Sequence, residues 1–101
     1  MMVAAYTHMA RHYGFPLFGY AGCSDSPVYD QQASIESALW ILISTLSGGN
    51  LVHDVGYINN GLTTSFEQLV VSDEVIGMVR RIAGGIEISE ETLALDAWAA
   101  P

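Results

Sequence analysis

The sequence predicts an α/β fold, present as a slice of a larger architecture rather than as a closed unit. Two segments, Leu17 to Ala21 (LFGYA) and Asn50 to Val55 (NLVHDV), are short, apolar and flanked by turn formers, as buried strands are. Between them lies a long stretch with helical apolar spacing, and a second such stretch follows the later strand. Two strands joined by a helical crossover make a parallel, right-handed unit. Eight strand and helix repeats close a barrel in about 250 residues. A chain of 101 residues therefore holds about a quarter of one, and 1–101 reads as a single partial domain.

Each element has a local reason. The first helix runs from Val3 to Tyr13 and is closed by Gly14, with Pro16 just beyond it. The strand Leu17 to Ala21 enters the turn-forming stretch Gly22 to Pro27. Asp30 then caps a long helix on which Ile35, Leu39, Leu42 or Ile43, and Leu46 recur at helical spacing until Gly48 and Gly49 end it. Ala38, Trp40 and Ile41 make its middle apolar nearly all round, so it should be covered on two sides, by the sheet and by a partner. After the strand Asn50 to Val55, the loop Gly56 to Thr64 carries the turn residues Asn59, Asn60 and Gly61. Ser65 and Gln68 form a capping-box pattern, in which each side chain is expected to satisfy a backbone N–H of the first turn. The helix they open runs to about Ala83, with Phe66, Leu69, Val70, Ile76, Val79 and Ile82 as its apolar face and Gly84-Gly85 as its stop. Ser89 begins a last helix, with Glu90 and Glu91 at the positive end of its dipole.

Composition narrows the function. Half of the residues are apolar and only 14% are charged, against about 25% in an ordinary soluble domain. That excess predicts burial against copies of the chain, as a homo-oligomer, or against the rest of a larger protein. Eleven acidic residues face only Arg11, Arg80 and Arg81, for a net charge of −8. Such a surface repels a phosphate backbone, so nucleic acid is not an expected partner. The longest apolar stretch, Ala38 to Ile43, is far short of the roughly 20 residues of a membrane helix, so no membrane is expected either. The single cysteine, Cys23, excludes an internal disulfide, and the expected compartment is cytoplasmic.

Candidate site residues follow from position. In parallel α/β folds the loops leaving the carboxyl ends of strands carry the ligands, which points to His53, Asp54 and Tyr57. The same residues have structural readings. His53 can be satisfied by backbone bonds, Asp54 can cap its loop, and Tyr57, like Tyr20, can be a core aromatic. Asp25 and Ser26 beside Pro27 are turn formers first. No metal site is expected, because His8 and His12 make only half of a zinc set. The glycine pairs match neither a dinucleotide fingerprint nor a phosphate-binding loop.

From Asp30 to Asp96 the chain resembles the trimethylamine methyltransferase (MttB-like) superfamily. The similarity is carried by DQQASIESA at 30–38, GGNLVHDVGY at 48–57, GLTTSFEQLV at 61–70, DEVIGM at 73–78 and GIEISEETLA at 85–94. Gly14-Phe15-Pro16 and the stretch Gly22 to Pro27 add weaker matches. The resemblance implies a fragment of a TIM-type (β/α)8 barrel, about two βα units with flanking helices, from the late part of the barrel, and the apolar excess adds an oligomeric state. It implies transfer of a methyl group from a methylated amine to the cobalt of a corrinoid (cobalamin) on a partner protein, chemistry found in methanogenesis. No cofactor would be bound directly by this chain. No pyrrolysine is present, which makes the chain more similar to the branch without it, whose substrates are quaternary amines such as glycine betaine.

Holding a tetraalkylammonium group calls for aromatic faces and carboxylates. Tyr20, Tyr29 and Tyr57 flank the two strand-end loops, with Asp25 and Asp54 beside them. On this reading His53 and Asp54 are catalytic, and Tyr20, Asp25, Tyr29 and Tyr57 bind substrate. The other reading is a noncatalytic oligomerising domain derived from the family, with the apolar surface hidden in the assembly. Length favours a chain that cannot complete the site alone.

Overall fold

Capping bonds decide where the chain turns. The computed structural model describes residues 2–99 and opens with α1, Met2–His12. Gly14, at φ 71°, ends that helix. Phe15 N–H reaches Ala10 O at 2.8 Å and Gly14 N–H reaches Arg11 O at 3.2 Å, the paired bonds of a Schellman motif. The next helix, α2 (Gln31–Ser47), starts where the Asp30 carboxylate accepts the Ala33 N–H at 2.9 Å, and Gly48 closes it in the left-handed region.

Helix α2 is the crossover between β1 (Phe18–Tyr20) and β2 (Leu51–His53), which pair in parallel with Phe18 opposite Leu51 and Tyr20 opposite His53. Both strands are shorter than the sequence predicts, since residues at their ends bond to loops instead. Leu17 N–H, for example, donates to the Asn50 side chain at 2.9 Å. A hairpin follows, β3 (Tyr57–Ile58) with β4 (Thr63–Thr64), where the sequence suggested only a loop. Asn59, Asn60 and Gly61 all take positive φ there, which is what those residue types allow.

Helix α3 (Phe66–Ala83) keeps half of the expected capping box. Ser65 Oγ accepts the Gln68 N–H at 3.2 Å, but the Gln68 amide turns inward and donates to Ala33 O of α2 at 3.2 Å. The last helix is also shorter than expected. The expected start at Ser89 is not a helix start: Ser89 and Thr92 exchange side-chain to backbone bonds at 2.8 and 3.1 Å that close turns, Ala94 takes φ 52°, and α4 spans only Leu95–Ala99.

Packing departs most from the apolar pattern. The buried stripe of α2 is Ala33, Ser37, Ile41 and Ser44, and that of α3 is Gln68, Ser72, Val75 and Val79. Small residues let the two helices approach closely, with Ser37 Oγ and Ser72 Oγ 3.1 Å apart across the seam. The core joins Ala21 of the β1 end to Ile41, Val75 and Val79. Ile35, Leu39 and Leu46 of the expected α2 face, and Phe66, Val70 and Ile82 of the expected α3 face, are exposed. Both helices are apolar on more than one side; α2 packs against α3 and α1, and the apolar side chains just named remain open to solvent. The radius of gyration, 17.9 Å with extents of 63 × 37 × 17 Å, describes a slab; a sphere-like domain of 100 residues has about 13 Å. No helix among the described residues is long and apolar enough to cross a membrane.

Candidate functional site

Both strands end in loops that are tied to each other. Ala21 N–H donates to His53 O at 2.9 Å, Ser24 N–H to Tyr57 O at 3.1 Å, and Asn60 N–H to Ser24 O at 2.9 Å. Gly22 allows this closeness: at φ 85° it has no side chain, and a Cβ there would lie 2.8 Å from Val55 Cγ1. The β1 loop thus lies against the β2 loop, and a cleft of about 420 Å³ opens between them and α2.

Strand β1 and its loop supply Tyr20, Cys23 and Asp25 to the cleft, α2 supplies Glu36 and Trp40, and the loops after β2 supply Asp54, Asn60 and Gly61. Three carboxylates line it, and no lysine or arginine does. Tyr20 and Trp40 form a tilted pair with ring centroids 5.2 Å apart.

Glu36 organises one side. Its Oε2 accepts the Ser24 hydroxyl at 2.6 Å and the Asp25 N–H at 3.0 Å, and its Oε1 accepts the Gln32 amide at 2.9 Å. The Ser24 bond, with smaller help from the Asp25 N–H and Gln32, holds the Glu36 carboxyl below its ordinary range. Glu36 therefore stays ionised and pins the β1 loop to α2. Burial pushes the Cys23 thiol up, and the neighbouring carboxylates Asp54, Asp25 and Glu36 push the same way. The neutral thiol of Cys23 is thus favoured over the thiolate.

The residues anticipated from sequence divide. Tyr20, Asp25 and Asp54 meet in the cleft. His53 stands at its margin, with Nδ1 2.8 Å from Asp54 Oδ1 and its ring stacked on Phe18 at 4.2 Å. Asp54, at φ 69°, takes that His53 contact, and among the described residues no backbone N–H donates to its carboxylate. Tyr57 contributes its carbonyl to the loop tie rather than its ring to the lining. Tyr29 lies outside, over a separate depression beside Asp30, Ser34 and Ile35. Sequence reasoning missed Cys23, Glu36, Trp40 and Asn60. Glu36 had a signal, as the only charged residue of α2.

The family model for trimethylamine methyltransferase (MTTB) matches residues 1–100. The chain belongs to the trimethylamine methyltransferase family. It is 38% identical to the trimethylamine methyltransferase MttB of Methanosarcina barkeri (strain Fusaro / DSM 804), over 95% of this chain and 19% of that protein. The MttB of Methanosarcina thermophila is 36% identical over 95% of this chain and 20% of its own length. A glycine betaine methyltransferase of Desulfitobacterium hafniense (strain Y51) is 31% identical, again over 95% of this chain and 20% of that protein. The chain therefore spans about a fifth of the length of these methyltransferases.

Proposed function

We propose that the cleft holds the cationic head of a methylated amine, of trimethylammonium or glycine betaine type. The chain then forms part of the TIM-type barrel of a methyltransferase that passes a methyl group to the corrinoid of a partner protein. The observation that carries the reading is the meeting of Asp25, Glu36 and Asp54 with the Tyr20–Trp40 pair in one cleft lined by no basic side chain. A quaternary ammonium ion has no N–H to donate, so charge and aromatic faces are its main means of recognition, each face worth about 0.5 to 2 kcal/mol. Of the substrates named for its relatives, glycine betaine is such an ion, and trimethylamine is a tertiary amine whose protonated form keeps one N–H that a carboxylate can accept.

A corrinoid cobalt would supply the nucleophile that accepts the methyl group. The residues present suit its approach from a partner, because the sheet face carrying Phe18 and Leu51 beside the cleft is open. This chain binds and orients the amine. Asp25 offers uncommitted negative charge and Asp54 has one oxygen on His53, whereas Glu36 spends both its oxygens on Ser24, Asp25 and Gln32. The Asp54 contact engages His53 Nδ1 and leaves Nε2 as the ring nitrogen free to face a ligand.

Titration with tetramethylammonium should shift the NMR signals of Tyr20, Asp25, Trp40 and Asp54 saturably in the millimolar range. Asp25→Asn and Asp54→Asn should each weaken binding several-fold. Absence of a saturable shift at these groups ends the reading. Turnover is a separate matter: with about a fifth of its relatives' length, the polypeptide mixed with reduced corrinoid protein and amine is expected to yield no methylcobalamin. Its appearance would show that the cleft works unaided.

A second reading, an oligomerising domain without catalysis, is supported by Leu62, Phe66 and Val70, which are 71% exposed or more. Light scattering should then give at least a dimer, and a stable monomer would remove that reading.

A further inference from the structure

Asp25 stands exposed between two buried serines, Ser24 at 3% and Ser26 at 2%. In a turn, an aspartate side chain ordinarily bonds the backbone two residues on. Here Ser24 takes that role, since its Oγ accepts the Ser26 N–H at 3.0 Å. The same hydroxyl donates to Glu36 Oε2 at 2.6 Å, and that oxygen also accepts the Asp25 N–H at 3.0 Å. The carbonyls on either side are held as well, Ser24 O by the Asn60 N–H at 2.9 Å and Ser26 O by the Asn59 N–H at 2.7 Å. The backbone of Asp25 is therefore fixed from both ends. Its carboxylate, which lines the cleft, makes no hydrogen bond among the described residues and has no part in holding the turn.

We propose that Ser24 is a positioning residue: its hydroxyl, knotted to Glu36 and to the Ser26 N–H, holds Asp25 so that the free carboxylate faces the cationic ligand of the cleft. The proposal rests on the cleft's binding a methylated ammonium ion. Ser24 acts through Asp25, because it is buried, carries no charge and does not itself line the cleft. A carboxylate on a loop free to move would have to be ordered on binding, and that entropy comes off the affinity. A loop already tied to α2 avoids the loss. Glu36 belongs to the same knot, but it also lines the cleft with its own charge, so substitution there mixes two effects. Ser24 separates them.

Binding of tetramethylammonium to the full chain, followed by amide NMR, tests it as a double-mutant cycle. Ser24→Ala should weaken binding about two- to tenfold, the range of one net hydrogen bond. In an Asp25→Asn background the same substitution should cost nothing further, because the charge it positions is gone. In an Asp54→Asn background it should cost as much as in the native chain, since Asp54 enters from the loop after β2. An equal cost in all three chains would make Ser24 a support of the whole cleft and overturn the proposal, as would no cost in the native chain. Where Ser24→Ala does not fold, Glu36→Gln loosens the knot instead. It removes the same charge in both backgrounds, so a smaller loss beside Asp25→Asn than beside Asp54→Asn supports the proposal, and equal losses overturn it. A native chain with no saturable shift ends the reading of the cleft and this proposal with it. Saturable binding without the asymmetry between Asp25 and Asp54 ends this proposal alone.

Discussion

The stretch from β1 to α3 and the stretch 85–99 carry the same family similarity but not the same support. The first buries Ala21 and Ile41 against Val75 and Val79 and locks two helices with side-chain bonds across their seam. In the second, every residue is exposed except half-buried Ser89, although Ser89 and Thr92 are bonded to each other. Local hydrogen bonds can thus shape a segment without stabilising it. Burial is what distinguishes the two, since each apolar side chain taken from water contributes about 1.5 to 3 kcal/mol.

The largest expected effect is at Gly22, in the supported region. Gly22→Ala places a Cβ 2.8 Å from Val55 Cγ1 and 3.2 Å from Val55 Cα, at a φ of 85° that alanine rarely adopts. Steric overlap and left-handed strain together should cost about 2 to 4 kcal/mol, enough to remove much of the stability of a small domain. Urea unfolding followed by circular dichroism measures it. A loss below about 0.5 kcal/mol would mean that the two strand-end loops are not held together, and the cleft with them.

Gly22 also shows what could be read in advance. The helices, the parallel crossover and the capping residues Asp30 and Ser65 were legible, because caps and glycine stops act within a few residues. The buried faces were not. Apolar periodicity finds the greasiest side of a helix, whereas α2 and α3 meet through Ala33, Ser37, Gln68 and Ser72. Their greasier sides face space that this chain does not fill. Three site residues, Tyr20, Asp25 and Asp54, were legible from strand-end position, but Glu36 and Trp40 enter from α2, and helix rotation about the sheet is a tertiary outcome.

Glu36 sharpens the comparison by pH. Its folded carboxyl titrates below its unfolded value because Ser24, Asp25 and Gln32 donate to it. The stabilisation is complete above the unfolded glutamate value, near about pH 4.3. It is lost as pH falls through the lower folded value. Glu36→Gln should therefore flatten the acid side of the stability profile in that window, with a smaller loss at neutral pH than Gly22→Ala. Glu90→Gln in the tail should leave the profile unchanged. A Glu36→Gln profile parallel to that of the native chain would remove this residue from the loop's support.

The smallest effect belongs to Trp98, and it decides whether the contrast is a property of one chain or of its assembly. Trp98 is 85% exposed. Trp98→Ala should change the urea midpoint by less than about 0.5 kcal/mol, as surface substitutions do. Truncating a tryptophan that is buried costs about 3 to 5 kcal/mol. Measured at low and high protein concentration, the variant thus distinguishes an uncovered tail from one buried between copies. A loss that grows with concentration would place the tail in a subunit interface, because association stabilises only the state that forms it. A loss that is small at both leaves Ile86, Ile88 and Trp98 of residues 85–99 without cover in this chain.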